Sequence, residues 1–293
     1  MPLPLATLAL AVTLTTSAAR APRAGAPVEL AVQRALSSTA PGGARADAAT
    51  APLLGVRYLL SPLGEGQGLD PDPRFRLDAF DCVTFVETAT ALGSAGSLDE
   101  ARRALDDVRY RSRVDVADRL HEVISQWIPS NLAKGWIAPA SRAAAGDATV
   151  VERVSYDAAR WRRLAASGQR LTGVPLEQAP LGRFEVEVVP LRALGAAAPR
   201  IADGTIAFVV RAERDDHLTR VSHAGLVVVR GGRRLVRHAS SSAGVMRVVE
   251  EPLARFVAGQ QRLRGRPVVG LALFAVQDAR ARLASLPARP PPP

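Results

Sequence analysis

Only one cysteine, Cys82, occurs in the 293 residues. That excludes an intramolecular disulfide and any zinc site built from several thiolates. The lone thiol is either an inert buried hydrophobe or a nucleophile. Aromatic residues are scarce at 4%, so the core must be assembled mainly from Ala, Val and Leu. Lysine is almost missing, with Lys134 the only one among 38 basic residues. The net charge of +10 is thus carried by arginine. Arginine is scattered over the chain rather than clustered with aromatics, which argues against a nucleic-acid partner. No segment is long and apolar enough for a transmembrane helix. The apolar run Leu3–Leu14 has only the length of a signal-peptide core. Ser17-Ala18-Ala19 and Ala24-Gly25-Ala26 follow as candidate cleavage sites, although no Lys or Arg precedes the run. Residues 1–26 are read as an export signal that sends the chain to the periplasm. No cysteine follows the run to carry a lipid anchor.

The composition is otherwise that of a globular protein, 47% apolar and 23% charged, which excludes a disordered or fibrous chain. Residues 27–50 read as a linker or mobile segment, because Ser37–Thr50 is small and polar with Pro and Gly. Residues 279–293 read as a Pro-rich disordered tail. Between them, residues 51–278 form one domain. Its first half is predicted helical: Ser97-Leu98-Asp99-Glu100 has a capping-box pattern, and Val116, Leu120, Val123, Ile124 and Trp127 recur at helical spacing before Pro129. Its second half is predicted as strands, with Phe184, Val186 and Val188 alternating with Glu185 and Glu187. Thr205–Val210, Val221–Arg230 and Arg233–Ala239 are further β-rich runs. Helices followed by strands predict an α+β fold with an antiparallel sheet.

Cys82 follows Asp81, a plausible N-cap, and so falls in the first turn of an amphipathic run ending near Leu92. Unpaired N–H groups and the positive dipole end there favour thiolate over thiol, and the same N–H groups are potential oxyanion donors. The competing reading is plain packing with Phe85, Val86 and Ala89. Of the four histidines, His217 lies in a charged loop and reads as a solvated surface residue. His121 borders an apolar stripe and is either a core or a cleft residue. His223 and His238 lie on two strands joined by Gly231-Gly232, a hairpin-turn dipeptide. A two-residue loop pairs Arg230 with Arg233 and hence Gly225 with His238. Strand periodicity then puts both imidazoles on one face as diagonal neighbours, within reach of a side-chain hydrogen bond. One capped cysteine and two adjacent histidines match nucleophile, base and orienting group. Metal binding by the two histidines is the rival, and neither strand offers an Asp or Glu on that face to complete a ligand set.

The stretch Phe80-Asp81-Cys82-Val83-Thr84-Phe85-Val86-Glu87 resembles the nucleophile motif of the N-acetylmuramoyl-L-alanine amidase-like family, of the NlpC-type branch of papain-like cysteine peptidases. Three further blocks resemble that family in order. Leu63-Gly64-Glu65-Gly66 with Asp70-Pro71-Asp72-Pro73 is similar to its approach loop. Arg119-Leu120-His121, Trp127-Ile128 and Asn131 are similar to its R-L-H, W-I and N block. Ser222-His223-Ala224-Gly225-Leu226 and His238-Ala239-Ser240-Ser241 are similar to the strands of the base and the third catalytic residue. Departures are Glu122, where the family usually has an aromatic, and Gly204-Thr205, where it often has Gly-Asp. The resemblance implies a papain-like NlpC-type fold, with N-terminal helices packed on a C-terminal antiparallel sheet. It also implies hydrolysis of the amide between the lactyl group of N-acetylmuramic acid and L-alanine in peptidoglycan or its muropeptide fragments. Cys82 is then the nucleophile, His223 the base and His238 its orienting partner, with no metal or organic cofactor. Asp81, Arg119, His121, Trp127, Asn131, Ser222 and Ser240 are the implied substrate-binding residues. The rivals are a D-glutamyl–diaminopimelate endopeptidase of the same superfamily and a non-catalytic peptidoglycan-binding module.

Overall fold

The computed structural model describes residues 26–166, 176–263 and 265–287. The expected export signal lies outside them, apart from Ala26, which opens the first helix. Two helices come first, α1 (Ala26–Ser38) and α2 (Gly43–Thr50). Two short parallel strands follow, β1 (Arg57–Tyr58) and β2 (Ala79–Phe80), and then helices α3 (Cys82–Ser94) and α4 (Leu98–Arg109). A short helix α5 (Ile128–Ala133), strand β3 (Ile137–Pro139) and helix α6 (Ser141–Ala145) lead into β4 (Val150–Tyr156) and α7 (Ala158–Ala166). The rest is mainly sheet: β5 (Gly182–Pro190), helix α8 (Leu191–Ala197), β6 (Thr205–Arg211), β7 (Val221–Arg230), β8 (Arg233–Ser240) and β9 (Arg247–Pro252). Helix α9 (Leu253–Arg262), β10 (Val268–Val276) and α10 (Arg280–Ser285) complete the chain. The fold is thus mixed α+β, as the sequence predicts.

The sheet runs in the order β2-β1-β9-β8-β7-β6-β10-β5-β4, with β3 also on β10. Every pairing but β1–β2 is antiparallel. Its central strands are buried on both faces, which explains why β6 and β7 read as nearly continuous apolar runs. Ala224, Leu226 and Val228 of β7 join Phe85, Val86, Ala89 and Leu92 of α3 in one core. Val227 of β7 and Val236 of β8 join Leu253, Phe256 and Val257 of α9 and Leu194 of α8 in a second. Helices therefore cover both faces, the N-terminal ones on the first and α8 and α9 on the second.

Three expectations are corrected. Residues 27–50 are not a linker, since Val32, Leu36, Ala46 and Ala49 are fully buried in the first core. Polar contacts hold the same segment. Asp47 accepts from both Nη atoms of Arg230 (2.7 and 2.6 Å), and Arg237 donates to the Asp47 carbonyl and to Thr50 Oγ1. The tail is ordered through α10, where Leu283 is buried; residues 288–293 lie outside the described residues. The stretch Val116–Trp127 is not one helix. A 3₁₀ turn, Val116–Asp118, gives way to extended backbone, and a π-helical turn, Val123–Trp127, begins at Glu122. Glu122 caps the second turn by accepting from the N–H and Oγ–H of Ser125, so the chain restarts there. Among the described residues, no helix is long and apolar enough to cross a membrane.

If α1 is part of the core, Leu36→Ala should lower stability by roughly 2–5 kcal/mol, the usual cost of a buried leucine truncation. Chemical denaturation measures this; an unchanged midpoint would return the segment to the status of a linker.

Candidate active site

Helix α3 starts where it does because Asp81 and Thr84 cap it reciprocally. Asp81 Oδ1 accepts the Thr84 N–H at 2.8 Å, and Thr84 Oγ1 accepts the Asp81 N–H at 3.0 Å. The other carboxylate oxygen accepts the Ser61 N–H at 3.0 Å and ties the approach loop to the helix start. Cys82 is accordingly the first residue of α3, and it is only half-buried. The Ala224 N–H of β7 and the Cys82 and Val83 N–H groups act to lower the pKa of its thiol. These donors do not prevail. Burial first, and the Asp81 carboxylate second, push the thiol up to about 12. The sequence expectation of a preformed thiolate is thus corrected: the resting group is the thiol.

The histidine pair forms as the register predicts. Arg230 pairs with Arg233 and Leu226 with Arg237, which brings His223 Nε2 to 2.8 Å from His238 Nδ1. Gly225 makes room for this, because a Cβ there would lie 3.0 Å from the Cβ of His238 and 2.5 Å from a Val236 methyl. The imidazoles lie on the α9 side of the sheet. The Phe256 ring stacks on His223 (5.6 Å, 28° between planes) and meets His238 edge-on (5.0 Å, 68°). Both rings are buried. Burial, with the neighbouring His238 second, holds His223 down to about 3, and burial also lowers His238 against an opposing pull from Glu251. Glu251, on β9, was missed at the sequence level: its Oε1 lies 3.0 Å from His238 Nε2. Among the described residues, no group of three or more His, Cys, Asp or Glu is disposed to hold a metal ion. The two facing nitrogens of the histidine pair are spent on each other.

The remaining predicted site residues are mostly occupied by the protein itself. Arg119 donates to Glu65 and Asp70 (2.6 and 2.8 Å), and Tyr110 donates to Glu65 at 2.7 Å, so the approach loop and the R-L-H block form one ion-paired unit. His121 Nε2 lies 2.6 Å from the Val116 carbonyl, and burial lowers its basicity. Trp127 is buried edge-on against Phe208. Asn131 is fully buried and donates to the Val108 and Trp127 carbonyls. Ser222 is exposed beside His223, at a bulge in the β6–β7 ladder. Ser240 is buried at the end of β8 and accepts from the Ser242 N–H. His217 pairs with Asp216 in its charged loop. The structure therefore brings together His223 and His238, and adds Glu251 and Phe256, on the α9 side of the sheet; Cys82 packs with the core on the α3 side.

A capped cysteine at a helix start and a hydrogen-bonded histidine pair on the sheet that helix packs on are the residue types of a candidate acyl-transfer hydrolase. A family model described as N-acetylmuramoyl-L-alanine amidase-like matches residues 48–263, and the chain belongs to that family. Solved structures share the fold. A Legionella pneumophila protein of family DUF1460 superposes with a TM-score of 0.67 at 18% identity, over 85% of this chain and 89% of that one. An N-acetylmuramoyl-L-alanine amidase from Bacteroides uniformis gives a TM-score of 0.59 at 20% identity, over 86% of this chain and 99% of that one. No curated protein matches.

The low basicity of His223 has a consequence for stability. In the folded chain it protonates near 3, against an ordinary value of 6.5. The unfolded chain therefore binds more protons between those values, and stability must fall as pH drops through that window. His121 and His238, lowered in the same direction, add to the slope. Urea midpoints should drop from pH 7 to pH 5, before most carboxylates titrate, and drop less in His223→Gln. Equal losses in both proteins would show that the imidazole is not held neutral.

Proposed function

We propose that the protein is a cysteine-dependent N-acetylmuramoyl-L-alanine amidase with a papain-like, NlpC-type arrangement of its reacting groups. Its substrate is peptidoglycan or a muropeptide fragment, and the bond cleaved joins the lactyl group of N-acetylmuramic acid to L-alanine of the stem peptide. The observation that carries this reading is the His223–His238 hydrogen bond of 2.8 Å, in a chain of an amidase-like family whose one cysteine starts a helix. Export to the periplasm, on the strength of the Leu3–Leu14 run, fits that substrate.

The chemistry follows from the resting protonation states. With the thiol raised and both imidazoles lowered, the site rests as thiol and neutral imidazole. His223 takes the thiol proton as the sulfur attacks the carbonyl carbon, so charge develops only as the bond forms. The N–H groups at the start of α3 are the nearest donors for the resulting oxyanion. Collapse of the tetrahedral intermediate breaks the C–N bond, and His223 returns the proton to the leaving amine of L-alanine. Water then attacks the thioester with His223 again as base, which releases the lactyl carboxylate and restores the thiol. His238 holds the His223 ring in register throughout.

Purified protein incubated with defined muropeptides should release an intact stem peptide from the sugar, read by product mass, in buffer containing EDTA. Cleavage inside the stem peptide would instead identify the endopeptidase, and an inert wild-type protein the binding module. Cys82→Ala should abolish turnover without changing the melting temperature; turnover at the wild-type rate would end the cysteine mechanism.

The two histidines should differ. Loss of a general base costs about 10²–10⁴ in rate, so His223→Asn should fall by that order. His238→Asn keeps a hydrogen-bonding side chain and should retain more activity. Full activity in both variants would remove the imidazoles from the reaction.

A further inference from the structure

The line of hydrogen bonds does not stop at His238. In the β8–β9 ladder Val236 faces Glu251 and His238 faces Val249. Glu251 therefore shares a face with His238 and lies diagonal to it, the same relation that His238 bears to His223 across β7–β8. Its Oε1 is 3.0 Å from His238 Nε2, while Oε2 lies 3.3 Å from Nε of the exposed Arg255 on α9. We propose that Glu251 is a positioning residue that sets the tautomer of both imidazoles and leaves Nδ1 of His223 without a hydrogen, as a general base. What that base is used for rests on the amidase reading; the tautomer assignment does not.

The argument is one of donor and acceptor inventory. An ionised carboxylate only accepts, so the hydrogen in the contact with Glu251 belongs to Nε2 of His238. A neutral imidazole carries one N–H, so Nδ1 of His238 must be an acceptor. Across the 2.8 Å contact, Nε2 of His223 must then donate. Nδ1 of His223 is left without a hydrogen, which is the form a general base requires. The reverse assignment would aim the His238 lone pair at a carboxylate, with both partners acceptors. The charged or titratable groups that meet this pair are Arg255 from α9 and His223 from β7; Phe256, packed against both rings, is uncharged. The Arg255 guanidinium pairs with the other oxygen of the same carboxylate.

Because Cys82 is the only cysteine, alkylation by iodoacetamide reports on its activation without any substrate. Nitrogen-15 spectra of the imidazoles report the tautomers directly. In the wild-type protein both rings should carry hydrogen on Nε2. Glu251→Ala should mix the tautomers of His238 and His223 and slow alkylation at pH 7 by about tenfold, a fraction of a full base's contribution. Glu251→Gln, which keeps a side-chain acceptor without the charge, should slow it less. Tautomers unchanged in Glu251→Ala overturn the proposal. If that variant does not fold, alkylation of Glu251→Gln at the wild-type rate overturns it. Altered tautomers in a protein that hydrolyses no muropeptide would sink the amidase reading and leave the role of Glu251 intact.

Discussion

Gly231 and Gly232 both sit at positive φ, 54° and 76°, a combination that only a turn of the primed kind uses and that glycine adopts without strain. The two-residue turn they make fixes Arg230 opposite Arg233 and every pair up to Leu226 opposite Arg237. A slip of one residue would carry all of β8 to the other face of the sheet. His238 would then leave His223, and Arg237 would leave Asp47 and Glu250, which it now bonds from a fully buried position. The candidate site and the anchoring of the N-terminal helices therefore hang on the same register. One face of β8 serves each.

That dependence explains which parts of the fold were legible. The hairpin was readable because a Gly-Gly turn has few geometries and alternation does the rest. The start of α3 was readable for a similar reason, since Asp81 and Thr84 are a local cap. The N-terminal helices were not. The segment Gly43–Thr50 offers Ala and small polar residues with no long apolar stripe, and what seats it is Asp47 meeting two arginines some 180 residues away. No local pattern encodes such a partner. Arg119-Leu120-His121 failed differently: its spacing fits a helix, yet the buried ion pairs of Arg119 with Glu65 and Asp70 and the cap by Glu122 hold extended backbone there. Tertiary partners overrode a weak periodic signal.

The site shows the same division. The cap before Cys82 and the pairing of His223 with His238 could be read from sequence because each sits in an element whose local chemistry is explicit. Glu251 could not, because the chain between Ser240 and Arg247 is too long to transmit register from β8 to β9 by turn type alone. Neither β7 nor β8 carries an acidic residue, and the one that matters comes from the next strand. Phe256 was hidden for another reason. It belongs to α9, whose docking on the far face of the sheet is visible only once β8 and β9 are in place.

The electrostatics of the site run against the usual picture of a charged thiolate–imidazolium pair waiting for substrate. Desolvation dominates at each of the three inner groups, raising the thiol and lowering both imidazoles. A buried ion pair would need compensating hydrogen bonds on every face, and the apolar wall of Phe256 offers none to His223. Charge is present only at the two ends of the constellation, in the Asp81 carboxylate that caps α3 and in Glu251 at the rim, where its side chain is 25% exposed and meets Arg255. The Asp81 charge disfavours thiolate, whereas Glu251 favours a proton on the imidazole side. In the proposed mechanism both fields therefore push the proton in one direction, from a neutral resting state to a charged pair formed as the bond changes. A site that works as proposed has no standing charge to desolvate when a neutral amide enters it, and its polarity appears at the atoms where the bond is changing.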